Sequence, residues 1–384
     1  MDLSYILNIL GEDREGYFNA VAPPIMQTSN FAFDTIEDLR KALQDEASTH
    51  LYTRGVNPTI EILRKKIAAL DGAEDALIFS SGVAAVFMAV MPNVNAGDHI
   101  VSVAKPYSWT TKLFNNLLPR FNVNTTMIDG TRIENFENAI RPNTKLIFLE
   151  SPNTMTYELQ DLRAVAKLAK SRGIITVIDN SYCSPLYQKP IEMGIDLSMQ
   201  TATKYTGGHS DTVAGTLSGS REMIDKIFRS DFLNVGAIIS PFNAWLLLRS
   251  LRTLDIRLKK IFQTTKEVIN AIDGHPKIEK IIFPFHPSFP QYELAKKQMQ
   301  DAGGLFTLIL KADKIEEIEH FCEKLNRFLV AVSWGGHESL VFPSCAGIKK
   351  EDFDPKMENH RMIRVYIGLE DSNVLIEDIL QALN

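Results

Sequence analysis

Apolar and polar positions follow a regular rhythm between residues 57 and 219 of this 384-residue chain. The first helix is predicted to begin at Asn57–Pro58, because Asn is a favourable N-cap and Pro suits the first helical turn. Gly72 is predicted to end this helix. Four apolar residues between these ends share one helical face: Ile60, Leu63, Ile67 and Leu70.

After this helix, short apolar runs alternate with amphipathic segments. Strands are predicted at 76–80, 99–103, 123–128, 145–150, 174–179, 195–201 and 213–218, and helices at 83–91, 111–121 and 162–172. Near-continuous apolar strands between amphipathic helices are typical of an α/β fold with a mostly parallel sheet covered on both faces. Ligands bind at the carboxyl ends of the strands in such sheets.

The rhythm changes near residue 240. A long helix is predicted at 245–272, followed by strands at 303–310, 328–334 and 363–369 and helices at 316–325 and 374–383. This pattern indicates a smaller α+β domain at the C-terminus. The sequence thus predicts an N-terminal arm (1–54) without regular structure, a large domain (55–245) and a small domain (246–384).

Composition narrows the classes of function. The formal net charge of −6 argues against a broad nucleic-acid-binding face, which requires a basic surface. No apolar stretch is long enough to cross a bilayer, and the N-terminus is too acidic for a signal peptide. The three cysteines are widely spaced, which favours a reducing compartment. We therefore expect a cytoplasmic protein that binds neither membranes nor nucleic acid.

Two residues suggest carbonyl chemistry. Asp179 ends one predicted strand, and Lys204 follows another strand 25 residues later. A partly desolvated lysine has a lowered pKa and becomes nucleophilic. A carboxylate beside it can pair with a protonated pyridine nitrogen. Taken singly, a surface lysine and a helix-capping aspartate are the more common interpretations.

A strand-to-helix turn at Ser81-Gly82-Val83 suggests a phosphate site, because its N–H groups and the helix dipole attract anions. Tyr52 and Arg54 also supply groups that bind phosphate. An ordinary turn and a polar loop are the alternatives.

Two further residues stand in predicted strands or directly after them. Tyr107 follows the strand at 99–103, where its ring can stack on an aromatic cofactor, and Arg364 can bind a carboxylate through two donors. The alternatives are a core aromatic and an ion pair with an acidic residue.

In combination, these segments resemble a known family. The chain is similar, from about residue 20 to its C-terminus, to the Cys/Met-metabolism family of fold-type-I pyridoxal-phosphate enzymes. That family holds cystathionine β- and γ-lyases, cystathionine γ-synthase and methionine γ-lyase. The matching segments are LYTRGVNPT, SSGVAAV, ESP, VIDNSY, TATKYTGGHSD, VSWGGHESL and IRVYIGLED.

The resemblance implies pyridoxal 5'-phosphate as the cofactor, held by Lys204 as a Schiff base, with Asp179 at the ring nitrogen and Tyr107 stacked on the ring. No metal is implied. The same turns would bind the phosphate through Ser81, Gly82, Val83, Thr201 and Thr203.

The resemblance also implies how substrate and subunits are arranged. Arg364 would hold the substrate α-carboxylate, with Ser333 and Trp334 in the same pocket. Tyr52 and Arg54 would reach the phosphate of a neighbouring subunit. The implied assembly is a homotetramer built from two dimers, with each active site shared between subunits.

One departure from the family pattern bears on the reaction. Many members carry an Asn-Pro pair after the ESP motif, whereas Asn153 is one position early here and Thr154 takes its place. Bacterial cystathionine β-lyases also lack the pair, so we expect β-elimination of cystathionine to homocysteine, pyruvate and ammonia, in methionine biosynthesis. Trp109 replaces a small residue of many γ-acting members and is expected to narrow the pocket.

The sequence leaves alternatives open. A γ-acting member of the family shares most of these residues, and a cofactor-binding regulator without turnover is a further alternative. His209 is interpreted as a structural residue, because one His and one Asp make a poor metal site. The role of His337 is open between a place at the substrate entrance and a turn.

Overall fold

The computed structural model describes residues 1–384. It contains fifteen α-helices and twelve β-strands. The helices are α1 (Leu3–Asn8), α2 (Ile36–Gln44), α3 (Pro58–Asp71), α4 (Gly82–Val90), α5 (Ser108–Lys112), α6 (Ile133–Ala139), α7 (Leu162–Arg172), α8 (Ser184–Tyr187), α9 (Arg221–Ile227), α10 (Leu233–Val235), α11 (Pro241–Leu251), α12 (Leu254–Ile272), α13 (Tyr292–Gln298), α14 (Ile315–Lys324) and α15 (Ser372–Leu383).

The strands are β1 (Asp75–Phe79), β2 (His99–Val103), β3 (Asn124–Ile128), β4 (Thr144–Glu150), β5 (Ile175–Asp179), β6 (Leu197–Gln200), β7 (Gly215–Gly219), β8 (Ile278–Ile282), β9 (Leu305–Leu310), β10 (Leu329–Val330), β11 (Leu340–Pro343) and β12 (Met362–Tyr366). None of the helices is long and apolar enough to cross a membrane.

The large sheet has seven strands in the order β1-β7-β6-β5-β4-β2-β3. Five neighbours, from β6 to β3, run parallel, and β7 runs antiparallel to both β1 and β6. β2 and β4 are almost completely buried, as expected for strands covered on both faces. The predicted α/β fold with a mostly parallel, mixed sheet is confirmed.

Local signals explain where the helices of the large sheet begin and end. The Asn57 side chain accepts a hydrogen bond from Thr59 N–H at the start of α3, with Pro58 at the first helical position. Gly72 and Gly173 end α3 and α7 with φ of +69° and +65°, a conformation that costs glycine little. These ends are as predicted.

The small sheet has five strands in the order β10-β11-β12-β9-β8, antiparallel except between β10 and β11. The strand predicted at 328–334 is wrong in extent, since only Leu329–Val330 forms a strand. The residues after it curve toward the large sheet, with Ser333 and Gly335 at positive φ. Strands β8 and β11 were not predicted from the sequence.

The predicted helix at 245–272 is wrong in continuity, because the chain breaks between α11 and α12. The Arg257 side chain donates to the carbonyl oxygen of Ser250 at 3.1 Å, and the Ser250 hydroxyl in turn donates to the Gly207 carbonyl oxygen. These polar contacts hold the turn, and no Gly or Pro marks it in the sequence. The helix predicted at 111–121 is also shorter, with α5 ending at Lys112 before π- and 3₁₀-helical turns.

The N-terminal segment contains α1 and α2, which corrects the expectation of an arm without regular structure. Ile6 and Leu7 of α1 are buried in the main hydrophobic cluster. The buried Lys66 amine of α3 donates to the carbonyl oxygens of both residues, at 3.0 and 3.2 Å. The boundaries 1–54, 55–245 and 246–384 stay a prediction.

Candidate active site

Lys204 lies just beyond β6, where the chain turns back on itself. Its backbone N–H donates to the Thr201 carbonyl oxygen at 3.1 Å, and its carbonyl oxygen accepts from Gly208 N–H at 2.7 Å. The amine donates to the Ser333 hydroxyl at 2.5 Å and lies 5.3 Å from the centroid of a Trp334 ring. The large sheet and the loop after β10 therefore meet at this lysine.

Burial lowers the pKa of the Lys204 amine to about 8, because the charged form loses hydration. The positive charge of Arg364 lowers this pKa further, and the negative charge of Asp179 opposes both effects. A larger fraction of the amine is therefore unprotonated at neutral pH than for an exposed lysine. This amine is suited to attack an aldehyde.

Asp179 ends β5 and is buried. Its Oδ1 atom accepts a hydrogen bond from Ser181 N–H at 2.9 Å, while Oδ2 has no donor within the chain. Burial raises the pKa of this carboxyl, and its bonds to Ser181 and the charge of Lys204 act in the opposite direction. The Oδ2 atom of Asp179 can therefore accept a hydrogen bond from a protonated ring nitrogen.

The predicted phosphate-binding residues lie where the loops after β1 and β6 touch. Ser81 caps α4, its hydroxyl accepting from Ala84 N–H at 3.1 Å. The N–H groups of Gly82 and Val83 are in the first helical turn, where no intrahelical carbonyl reaches them. A Cβ on Gly82 would lie only 2.2 Å from the Thr201 hydroxyl.

Thr203 differs from the other predicted phosphate-binding residues, because its hydroxyl already has partners. Its hydroxyl donates to the Ala214 carbonyl oxygen at 3.2 Å and accepts from Ala214 N–H at 3.0 Å. The Thr203 hydroxyl therefore already has a donor and an acceptor on Ala214, the residue before β7. Its predicted role in phosphate binding stays a prediction.

Tyr107 follows β2 and precedes α5, with 41% of its surface exposed. Its N–H donates to a carboxyl oxygen of Glu150 at 2.6 Å. Burial of the hydroxyl and the charge of Asp179 raise the pKa of Tyr107, whereas Arg364 lowers it. The hydroxyl therefore stays protonated at neutral pH and shares the electrostatic environment of the other candidate residues.

Arg364 projects from β12. Its guanidinium donates to the Ser333 carbonyl oxygen at 2.9 Å and lies 5.2 Å from the centroid of the Phe342 ring. It forms no ion pair with Asp or Glu, which argues against the alternative considered from the sequence, and the nearby groups that act on it are Tyr157 and Tyr107. The remaining donors can bind a carboxylate of a substrate.

Tyr52 and Arg54 are not brought to Lys204. The Arg54 guanidinium lies 5.4 Å from the centroid of the Tyr52 ring, and Tyr52 is 43% exposed. This pair belongs to an N-terminal stretch that pairs through Tyr52 with Asn30. Within one chain, no hydrogen bond or ion pair joins this predicted phosphate-binding pair to Lys204, Asp179 or Arg364.

Sequence reasoning missed Glu150, a buried residue beside the site. It faces Asp179 in the register of β4 and β5, and Thr154 donates to its other oxygen at 2.6 Å. An acidic residue ending the apolar run KLIFLE was the available signal. Asn153, the displaced Asn of the motif, donates to Glu158 at 3.1 Å.

Three remaining residues of the sequence analysis lie outside this centre. Trp109 is 52% exposed and packs under the Lys112 amine, 4.1 Å from a Trp109 ring centroid. The His209 ring contacts the Gly207 carbonyl oxygen at 2.8 Å, in keeping with a structural role. His337 is exposed and pairs with Glu338 at 3.1 Å.

The residues fit pyridoxal 5'-phosphate in three respects. An amine with a lowered pKa stands ready for the aldehyde, and the free oxygen of Asp179 matches a protonated ring nitrogen. The free N–H groups of Gly82 and Val83 match a phosphate. A Cβ on Gly335 would lie 2.7 Å from the Lys204 Cα atom, so the loop closes directly on the lysine backbone.

Comparison with known proteins agrees with this fit. Residues 7–384 match the family model described as Cys/Met metabolism PLP-dependent enzyme. The chain is 36% identical to an L-methionine gamma-lyase of Treponema denticola, over 96% of this chain and 93% of the relative. It is 36% identical to human cystathionine gamma-lyase (97% and 91%) and 33% identical to the Pseudomonas putida L-methionine gamma-lyase (97% and 95%).

These matches cover nearly the whole chain and include its C-terminal domain. They confirm the predicted family and its cofactor, while the roles of individual residues stay predictions. The chain therefore belongs to the Cys/Met metabolism family of enzymes that depend on pyridoxal 5'-phosphate.

Proposed function

We propose that this enzyme is a γ-acting carbon–sulfur lyase. It would break the Cγ–S bond of methionine or cystathionine and release a thiol, 2-oxobutyrate and ammonia. The relatives named methionine and cystathionine gamma-lyase support this γ-type reaction over the β-elimination expected from the sequence. The observation that carries the proposal is the buried Lys204 amine, which contacts Ser333 and is influenced by the charges of both Asp179 and Arg364.

We propose that Arg364 binds the substrate α-carboxylate through its unpaired donors. The bound cofactor supplies an electron sink for the negative charge that develops at the substrate Cα atom. Asp179 would hold the ring nitrogen in its protonated form through Oδ2, which makes that sink stronger.

Lys204 would then act as the proton carrier. Its amine has a pKa of about 8, so it can both take and return a proton near neutral pH. γ-Elimination requires proton removal at Cα and then at Cβ, two adjacent positions that one flexible lysine can serve. Tyr107, whose pKa is raised, would donate its hydroxyl proton to the leaving sulfur. Such positioned proton transfers contribute about 10²–10⁴ in rate.

We further propose that Tyr52 and Arg54 complete the phosphate site of a neighbouring subunit. Support comes from the resemblance to the family and from the exposed Tyr52 ring, which is accessible to another chain. The homotetramer and the cytoplasmic location stay predictions, as does a place in methionine biosynthesis.

Product analysis tests the reaction. The purified, cofactor-loaded enzyme is incubated separately with methionine and with cystathionine, and keto acids and thiols are identified by mass spectrometry. We expect 2-oxobutyrate with methanethiol from methionine, or 2-oxobutyrate with cysteine from cystathionine. Pyruvate with homocysteine from cystathionine would instead establish the β-lyase.

Lys204→Ala is the control for this assay. It should abolish the visible absorbance band of the bound cofactor together with turnover. An unmodified enzyme that shows the band but turns over no sulfur amino acid would favour the regulator without catalytic function.

A further inference from the structure

Two carboxyl groups lie side by side at the carboxyl ends of two central strands of the large sheet. Glu150 and Asp179 end the neighbouring parallel strands β4 and β5 and are paired in register. They are 6% and 7% exposed. Two buried carboxylates on directly paired residues of neighbouring strands cannot both ionise without strong repulsion.

The surroundings of the two groups differ. Asp179 faces the Lys204 amine, whose positive charge favours an ionised carboxylate. Glu150 has no cation beside it, and Asp179 is the one charged group that acts on it. Its contacts are the Tyr107 N–H at 2.6 Å and the Thr154 hydroxyl at 2.6 Å.

These contacts link Glu150 to the residue that is predicted to stack on the cofactor. Tyr107 stands at the N-cap of α5, with its own side chain making no capping bond. The Glu150 oxygen therefore fixes the backbone from which the Tyr107 ring projects. Thr154, in the place of the family's Asn, fixes the other oxygen of Glu150.

We propose that Glu150 is a positioning residue whose neutral carboxyl group anchors Tyr107 over the cofactor site and leaves Asp179 as the sole carboxylate anion there. Burial and the negative charge of Asp179 raise the pKa of Glu150 to about 8, in agreement with this division of roles. The inference rests on the proposed cofactor site at Lys204 and Asp179.

Glu150→Gln, Glu150→Ala and Glu150→Asp separate the possible roles. Gln reproduces a neutral acid, because its carbonyl oxygen can accept from Tyr107 N–H. Its amide can donate to the Thr154 hydroxyl oxygen once that hydroxyl turns from donor to acceptor, as it would toward a protonated acid. Ala removes both contacts and leaves a buried N–H without a partner. Asp keeps an ionisable group but is one methylene too short.

Affinity for pyridoxal 5'-phosphate is measured by titrating each apoenzyme and following the visible absorbance band. We expect Glu150→Gln to bind within about threefold of the unmodified enzyme, and Glu150→Ala and Glu150→Asp to bind about tenfold more weakly or worse. A Gln variant as impaired as the Ala variant would overturn the neutral role. An Ala variant with unchanged affinity would overturn the positioning role.

A double-mutant cycle with Tyr107→Ala tests the route of the effect. If Glu150 acts through Tyr107, Glu150→Ala adds little to the loss of affinity caused by Tyr107→Ala. Additive losses would contradict the proposal.

Thr154→Val replaces Glu150→Ala in this test if the Ala variant does not fold. Because it removes the hydroxyl that donates to Glu150, we expect it also to weaken cofactor binding. Thr156→Val is its matched control, since that hydroxyl donates to Asn153 at 2.9 Å in the same loop. Equal effects of the two Val variants would count against the proposal. If the proposed cofactor site at Lys204 is wrong, the Lys204→Ala variant will show the same visible band as the unmodified enzyme. This outcome separates failure of the cofactor site from failure of the proposal for Glu150.

Discussion

At the scale of single residues, the proposed reaction depends on the charge state of one amine. The groups that contact or electrostatically influence Lys204 are Asp179 of the large sheet, Arg364 of the small sheet, and Ser333 and Trp334 of the loop after β10. Its low pKa is the sum of burial, a repelling guanidinium and an attracting carboxylate. A substitution that removes one of these charges should therefore shift the pKa of Lys204 in a known direction.

We expect Arg364→Met to raise the pKa of the Lys204 amine, because it removes a nearby positive charge, and Asp179→Asn to lower it. The rate at which apoenzyme recombines with pyridoxal 5'-phosphate reports this pKa, since only the unprotonated amine attacks the aldehyde. For the unmodified apoenzyme this rate should rise with pH through about 8.

The control for this measurement is Arg132→Met, which removes a guanidinium that is paired with Glu134 at the surface. It should leave the midpoint of the pH profile in place. A midpoint that stays in place in Arg364→Met would show that the guanidinium does not act on this lysine, and one that moves downward would contradict the predicted sign.

Positions of individual residues were predictable from sequence where local pattern determines them. The carboxyl end of β5 and the turn after β6 follow from strand periodicity, and they locate Asp179 and Lys204. Glu150 was not predictable, because its importance arises from a contact with Tyr107 that joins segments 43 residues apart. The pairing of Lys204 with Ser333 spans 129 residues.

At the scale of elements, a buried carboxyl group joins α3 to the sheet. Asp71, the last residue of α3, accepts from the Ser218 hydroxyl of β7 at 2.6 Å and from the Gln200 amide of β6 at 2.8 Å. Burial raises the pKa of Asp71 to about 7. The helix is thereby fixed to the two strands that flank the turn carrying Lys204.

This contact makes stability depend on pH. The folded pKa of Asp71 lies above the unfolded value of about 3.9, so its contribution is complete below about pH 4 and is lost as pH rises through about 7. In Asp71→Asn this loss is absent. Between these pH values, we expect the free energy of unfolding of the variant, relative to the unmodified enzyme, to rise by up to about 1.4 kcal/mol per pH unit.

Denaturant unfolding at several pH values measures this difference. Asp34→Asn, which replaces an exposed aspartate, is the control and should show no pH-dependent difference. A difference for Asp71→Asn that stays constant from pH 4 to pH 7 would contradict the assignment.

Element boundaries were predictable wherever capping residues mark them, as at Asn57 and Gly72. The break between α11 and α12 was not, because it is held by Arg257 and Ser250 rather than by a helix-breaking residue. Strand β8 escaped prediction because its central residues are exposed and charged, and it completes the sheet only through pairing with β9.

At the scale of the whole molecule, we propose that the site is completed by a second chain. The family resemblance assigns Tyr52 and Arg54 to a neighbour's phosphate, and in one chain the Arg54 guanidinium lies over the exposed Tyr52 ring. Symmetric assembly would then form each site from two copies.

Mixing two inactive variants tests this arrangement. Lys204→Ala and Arg54→Ala are each expected to lose at least about 90% of activity, since one lacks the reactive amine and the other a phosphate donor. After dissociation and reassociation, random mixing should restore about a quarter of the activity, because half of the pairs contain one intact site of two. Mixing Lys204→Ala with Asp179→Asn is the control, because both changes lie on the same side of the site and should not complement.

The close approach of Gly335 to the Lys204 backbone has a consequence for protein engineering. The junction between the two sheets runs through the proposed active site, so exchanging the C-terminal third for that of a relative also replaces the residues that contact Lys204 from that side. A chimera joined near residue 254 must therefore retain a matching glycine and serine from the donor, or the grafted loop will displace the lysine it should enclose.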